Sequence, residues 1–198
     1  MLAYNSASFA RVNLFAMQYS EQDLSALLDA LGITPAILAY KALPPYPVAT
    51  ELVVAESDGN GRQFLLIPEA ARAWSTMKLA AQADGVVMEI VSAFRDIERQ
   101  ADIIRTKLAK GMAIDHILTL SAPPGYSEHH TGRAIDINTP GCEPTEEPFE
   151  HTDAFRWLCA HAGRFGFTLS YPRDNALGFI YEPWHWCFQP GHVAGGQT

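Results

Sequence analysis

The sequence predicts an α+β fold, a small and mainly antiparallel sheet with helices packed on it. Three observations carry this expectation. The turn sequence Asp58-Gly59-Asn60-Gly61 lies between the apolar runs Leu52–Ala55 and Phe64–Ile67, as in a hairpin. Apolar residues recur at helical spacing in several separate segments. The elements then run in the order helices, hairpin, helix, strand, helices, strand, helix, strands. At 198 residues, 48% of them hydrophobic, the chain suits one domain with a sizeable core.

Ser20-Glu21-Gln22-Asp23 is a helix start with a capping serine and an acidic first turn. Leu24, Leu27, Leu28 and Leu31 follow on one face, and Gly32 closes the helix. Thr34-Pro35 reads as an N-cap and N1 pair opening a short helix through Lys41, which Pro44-Pro45-Tyr46-Pro47 ends. Residues 1–47 are therefore read as a helical appendage on a core spanning 48–190, with 191–198 a mobile tail. After the hairpin, Pro68 to Ala83 is alanine-rich with Ala73, Met77 and Ala80 at helical spacing. Asp84-Gly85 breaks that helix, and Val86–Val91 reads as a buried strand. The next helix runs from Asp96 to Ala109 and closes at Gly111, with Ile97, Ala101, Ile104 and Leu108 inward and Gln100 on the same side. A short helix over Ala113–Leu120 precedes the rigid turn Ala122-Pro123-Pro124-Gly125. Strands are expected from Arg133, over Phe167–Leu169 and over Trp184–Phe188, with a helix over Thr152–Gly163 between the first two.

A formal charge of −8 without a basic stripe argues against nucleic acid as a partner. No apolar segment reaches the roughly 20 residues that span a bilayer. The N-terminus has no basic region followed by an apolar run, so the chain as it stands reads as cytoplasmic. A periplasmic or extracellular protein whose leader has been removed would read the same way. Cys142, Cys159 and Cys187 are odd in number and widely spaced, which fits neither a disulfide framework nor a CxxC metal site.

The chemistry concentrates in Ser127-Glu128-His129-His130-Thr131-Gly132-Arg133-Ala134-Ile135-Asp136 and in Glu182-Pro183-Trp184-His185-Trp186. Two imidazoles, an aspartate and a spare glutamate are the inventory of an open catalytic zinc site. Gly132 permits a tight turn or a close approach of another chain segment. Ala134 shares a strand face with Asp136 and leaves room for a metal, while Ile135 and Ile137 take the other face. Either His129 or His130 offers an imidazole at this spacing. In the second stretch, alternation sends Trp184 and Trp186 to one face and His185 to the other. Pro183 starts or kinks the strand, which frees Glu182 to join His185 and take a proton from an attacking water. Arg95, at a strand-to-helix junction, suits a substrate carboxylate or a developing oxyanion. Ser127 and Tyr126 can donate hydrogen bonds to a substrate or cap local backbone. His116, His151, His161 and His192 are read as surface or hydrogen-bonded core residues.

Three blocks together resemble the VanY-type D-alanyl-D-alanine carboxypeptidases, zinc peptidases grouped with lysostaphin and sonic hedgehog. They are Ser92-Ala93-Phe94-Arg95 with Gln100, Pro124-Gly125-Tyr126-Ser127-Glu128-His129 through Asp136, and Glu182-Pro183-Trp184-His185. The resemblance covers roughly residues 50–190. It implies a hedgehog-like D,D-peptidase fold and one catalytic zinc held by His129, Asp136 and His185. Glu182 would be the base, Arg95 the oxyanion stabiliser, Ser127 a holder of the terminal carboxylate, and Gln100 and Tyr126 further substrate contacts. The implied substrate is a peptidoglycan-derived peptide cut between its two terminal D-alanines. The same family contains D,D-dipeptidases, L,D-carboxypeptidases and endopeptidases, and the wider grouping a non-catalytic zinc-containing module. Two segments depart from the family pattern. One is the N-terminal helical part; the other is the acidic loop Glu143–Glu150, expected to border the cleft and alter specificity.

Overall fold

The computed structural model describes residues 11–13 and 19–191; His192 and the tail expected beyond it lie outside the described residues. Capping chemistry sets the helix starts. In α1 (Glu21–Ala30), Ser20 Oγ accepts the Asp23 N–H at 3.1 Å. In α2 (Pro35–Lys41), Thr34 Oγ1 accepts from Ile37 at 3.3 Å. The N–H of Arg99 in α4 (Ile97–Ala109) reaches Asp96 Oδ1 at 2.7 Å, and that of Phe155 in α6 (Asp153–His161) reaches Thr152 Oγ1 at 3.1 Å. Each such cap stabilises its helix by about 1 kcal/mol. The remaining helices are α3 (Pro68–Ala83) and α5 (Ile114–Leu120).

The strands form two antiparallel sheets where the sequence predicts one. β1 (Arg11–Asn13), β2 (Glu51–Ser57) and β3 (Gln63–Leu66) make the first, in that order. β1 falls inside the segment expected to be only helical. The second sheet has the order β4–β5–β7–β6, with β4 at Glu89–Ser92, β5 at Ala134–Asn138, β6 at Phe167–Leu169 and β7 at His185–Phe188.

β4 begins later than the apolar run predicts because the end of α3 uses Val86. With Gly85 at φ +79°, the Val86 N–H turns back to Ala81 O at 2.8 Å and the Gly85 N–H to Gln82 O at 3.0 Å. This double closure needs a left-handed residue, which glycine supplies without a Cβ penalty. Val87 is left exposed, and the ladder starts at Glu89. At its other end β4 extends to Ser92, paired with Asp136 after an irregularity between Ile90 and Ser92. Helix α6 likewise stops at His161 and tightens into a 3₁₀ turn over Ala162–Phe165.

α3, α6 and both sheets enclose the main core, in which Trp74, Met77, Ile135, Ile137, Phe149, Leu158, Phe167 and Trp186 are buried. Burying each such side chain fully is worth about 1.5–3 kcal/mol. The N-terminal helices pack elsewhere: Leu28, Leu31 and Ile33 join Ala101, Ile104, Ile117 and Leu118 of α4 and α5. They therefore buttress the two helices that wall the cleft. No described helix is long and apolar enough by itself to cross a membrane.

Candidate metal centre and active site

The motif segment folds as a 3₁₀ turn over Glu128–Thr131 followed directly by β5. Ser127 Oγ accepts the His129 N–H at 3.3 Å, and Thr131 Oγ1 donates to Glu128 O at 2.6 Å. The turn ends at Gly132, with φ +64°. A Cβ there would lie 2.8 Å from Leu52 Cδ2 and 3.1 Å from the Ile67 nitrogen, whose N–H donates to Gly132 O. Glycine thus serves both uses expected of it, the turn and the close approach to the first sheet. β5 then pairs with β7 so that Asp136 faces His185 across the ladder.

This register brings His129, Asp136 and His185 together, all buried, with one ligand atom from each within 4.8 Å of the others. His129 Nε2 lies 3.4 Å from Asp136 Oδ2, and His185 Nδ1 lies 3.1 Å from Asp136 Oδ1. Ligands on one tetrahedral zinc, with bonds of about 2.0 Å, stand at about this separation.

The hydrogen bonds decide which nitrogens are free. His129 Nδ1 meets Ala93 O at 2.7 Å, and a carbonyl only accepts, so Nδ1 carries the proton. Burial first, then Arg95, pushes the His129 pKa down to about 4, so the ring is neutral. Its Nε2 is buried without a hydrogen-bond partner and presents a lone pair to the Asp136 carboxylate. Two buried lone-pair atoms facing one another repel unless a proton or a metal cation lies between them, so the pair suits a cation. Burial opposes charge on Asp136, but His129 and His185 outweigh it and hold its carboxyl well below the usual range. Burial likewise opposes charge on His185, yet hydrogen bonds to Asp136 and Glu128 push it up to about 10.

His130 is placed for a different task. Its Nε2 accepts the Gly125 N–H at 3.0 Å and its Nδ1–H donates to Arg95 O at 2.6 Å. Both nitrogens are committed to backbone, which ties the Pro-Gly turn to the end of β4. His116 and His151 are exposed, and His161 packs edge-on against Trp157.

Glu182 reaches the centre as the notional strand alternation breaks at Pro183. The His185 N–H closes a turn onto Glu182 O at 3.1 Å, and Glu182 Oε2 stands 3.8 Å from His185 Nδ1. Burial raises its pKa to about 7, with Asp136 adding to the rise and His185 and Arg95 opposing it. A carboxyl poised near neutrality is suited to taking and returning a proton.

These groups line one cleft of about 490 Å³ together with Arg95, Gln100, Ser127 and Tyr171. Arg95 Nε is buried and unpartnered. Gln100 is among the lining residues; its amide donates to Ala122 O at 2.8 Å, and its Oε1 is buried without a partner. Tyr126 is the exception among the predicted contacts: it is not among the cleft-lining residues, and its ring packs against both smaller apolar clusters. The acidic loop does border the cleft, through Thr145, Glu146 and Glu147. Phe149 anchors it in the main core, and Arg173 bridges Glu147 and Glu150 at 3.5 and 2.9 Å.

Two participants have no sequence signal of their own. Lys107 lines the cleft two helical turns on from Gln100, its ammonium 2.9 Å from Ser121 Oγ. Glu128 sits behind His185, its Oε2 2.9 Å from Nε2. Inside the motif, Glu128 reads as one more acidic residue of a turn; only the fold shows what it faces.

A family model described as VanY, D-alanyl-D-alanine carboxypeptidase, matches residues 63–191. A D-alanyl-D-alanine carboxypeptidase of Enterococcus faecalis is 37% identical over 117 residues, covering 54% of this chain and 42% of the relative. The match thus spans less than half of that relative's length. Among solved structures, VanYB in complex with D-alanine-D-alanine aligns with a TM-score of 0.57 at 33% identity, over 72% of this chain and 78% of that one. A mutant of the D,D-pentapeptidase VanY from the VanB-type resistance cassette, in complex with Zn(II), aligns at 0.58 and 33% identity, over 73% and 82%. The likeness covers the cleft, both motif segments and the sheet that carries them. The chain belongs to the VanY D-alanyl-D-alanine carboxypeptidase family.

Proposed function

We propose that this protein is a zinc carboxypeptidase that removes the terminal D-alanine from peptidoglycan peptides ending in D-Ala-D-Ala. The observation that carries the reading is the buried, unpaired His129 Nε2 facing Asp136, with His185 and Glu182 at the same end of one cleft. His129 through Nε2, Asp136 through its carboxylate and His185 through Nδ1 would hold the metal. A zinc ion in such a site polarises a carbonyl and acidifies water. Glu182 accepts the proton of the water as its oxygen adds to the penultimate carbonyl carbon. Arg95 offers its guanidinium to the developing oxyanion. The carbon–nitrogen bond then breaks, and Glu182 returns the proton to the departing amine of D-alanine. Ser127 and Gln100, on the cleft wall, orient the substrate.

The reading draws further support from its relatives: one bears this activity in its name, one structure holds D-alanine-D-alanine and one holds Zn(II). Metal analysis of purified protein, with chromatography of products from a peptide panel, tests it. One zinc per chain and release of D-alanine from peptides ending D-Ala-D-Ala are expected, lost in Glu182→Ala. Stoichiometric zinc with no cleavage of any peptide in the panel would sink the enzymatic reading. Release only from peptides with a single D-alanine after an L-centre would reassign it to L,D-carboxypeptidase chemistry.

A further inference from the structure

Glu128 takes no part in the chemistry above and is nonetheless buried against it, only 9% exposed. Its Oε2 meets His185 Nε2 at 2.9 Å and accepts the Ser170 hydroxyl at 2.6 Å; its Oε1 faces the Tyr46 hydroxyl at 3.4 Å. Both of its oxygens accept from hydroxyls, Oε2 from Ser170 and Oε1 from Tyr46. It is therefore a carboxylate, which accepts hydrogen bonds and donates none. Its partner nitrogen on His185 must carry the proton.

The consequence falls on the opposite side of the ring. An imidazole that keeps its proton on Nε2 has its lone pair on Nδ1, the atom 3.1 Å from Asp136. Were the proton on Nδ1 instead, the atom facing the centre would have no lone pair for a metal. Ring rotation is restrained too, because Tyr171 lies against the imidazole with centroids 4.6 Å apart.

The carboxylate is itself fixed from two remote segments. Ser170 directly follows β6, and its own N–H donates to His185 O at 3.4 Å. Tyr46 lies between α2 and β2, and its N–H donates to Gly125 O at 2.8 Å, next to the motif turn. The N-terminal segment thereby reaches the back of the centre.

We propose that Glu128 is a positioning residue: it locks His185 in the Nε2-protonated tautomer so that Nδ1 is presented to the metal, with Ser170 and Tyr46 holding Glu128 in place. This rests on the zinc reading above and extends it to the group behind the ligands. Carboxylates in this position change metal affinity by about 10–100-fold.

The test measures zinc affinity by competition with a chromophoric chelator, and the His185 tautomer by ¹⁵N NMR of the zinc-loaded protein. Wild type should show a single tautomer with Nε2 protonated. Glu128→Ala should bind zinc about 10–100-fold more weakly and lose that single tautomer. Glu128→Gln, whose amide oxygen still accepts, should lose less, and Ser170→Ala less again. Glu128→Ala with wild-type affinity and an unchanged tautomer overturns the proposal. Should Glu128→Ala fail to fold, Glu128→Gln and Ser170→Ala decide: reduced affinity with an unchanged metal-free thermal midpoint supports it, and wild-type affinity in both overturns it. Peptide cleavage separates the two readings. A wild type that binds zinc but cleaves nothing defeats the peptidase and leaves Glu128's role standing, whereas full zinc affinity and cleavage in the Glu128 variants defeat only the latter.

Discussion

β5 and β7 have two faces with opposite chemistry. On one, Ile135, Ile137 and Trp186 enter a core shared with Trp74, Phe149 and Phe167. The indole N–H of Trp186 donates to Pro183 O at 2.9 Å, so even its polar atom is paired. On the other, Asp136 and His185 enter the cleft. Four buried side-chain polar atoms lack partners among the described residues, and three of them, Arg95 Nε, Gln100 Oε1 and His129 Nε2, belong to residues that line this cleft. Unpaired buried polar groups cost free energy. A core that closes fully on one side of a two-stranded ladder supplies the rigidity that holds them on the other. The core face holds the chain together, and the cleft face is arranged for groups that the chain itself does not provide.

If the two faces are divided in this way, substitutions on them should separate activity from stability. Glu182→Gln should lower kcat for D-alanine release by about 10³–10⁴-fold, the upper part of the range for a lost general base, with zinc content and thermal midpoint unchanged. A comparable loss of stability would mean that Glu182 belongs to the core face after all. Trp186→Ala should do the reverse and cost about 3–5 kcal/mol in denaturant unfolding, since it empties the middle of the core. Arg95→Lys keeps the charge but changes its geometry, and it should lower kcat by about 10²-fold with folding intact. An unchanged kcat would remove Arg95 from the reaction. Gly132→Ala tests the hinge between the faces. It forces a side chain into a left-handed conformation against Leu52 and Ile67, and it should cost about 1–3 kcal/mol of stability by thermal melting.

Chelation bears on the same division. Removing zinc should lower the thermal midpoint, by an amount that grows with the free zinc concentration of the loaded sample. At a hundredfold excess over Kd the linked stabilisation is about 2.7 kcal/mol. A midpoint indifferent to zinc would show that the cleft residues hold no metal in the folded state.

Local signals proved sufficient wherever the deciding interaction was local. Ser20, Thr34, Asp96 and Thr152 cap helices from positions three residues before the N–H they accept, so the starts of α1, α2, α4 and α6 are legible in the chain. The hairpin turn between β2 and β3 and the inward face of Gln100 are legible for the same reason. β4 shows where that ends. Its apolar run is continuous, but the closing turn of α3 takes Val86, a competition that the pattern of side chains does not reveal. Tyr126 fails differently: it stands beside Ser127 in sequence, yet its ring packs into apolar clusters built by α1, α4 and the segment after β6.

By itself the sequence determined the fold class, most of its helices and the types of group at the centre: two imidazoles, an aspartate and a glutamate on two short stretches. Tertiary structure alone decided which atoms of those groups are available. His129 and His130 are adjacent and chemically identical, and they part company only because Ala93 O takes one proton of His129 while Arg95 O and the Gly125 N–H occupy both nitrogens of His130. His185 presents Nδ1 only because Glu128, 57 positions away in the chain, accepts from Nε2. A histidine's free nitrogen is set by the hydrogen bond that the other nitrogen makes. Here those partners come from distant segments, and folding is what brings them within reach.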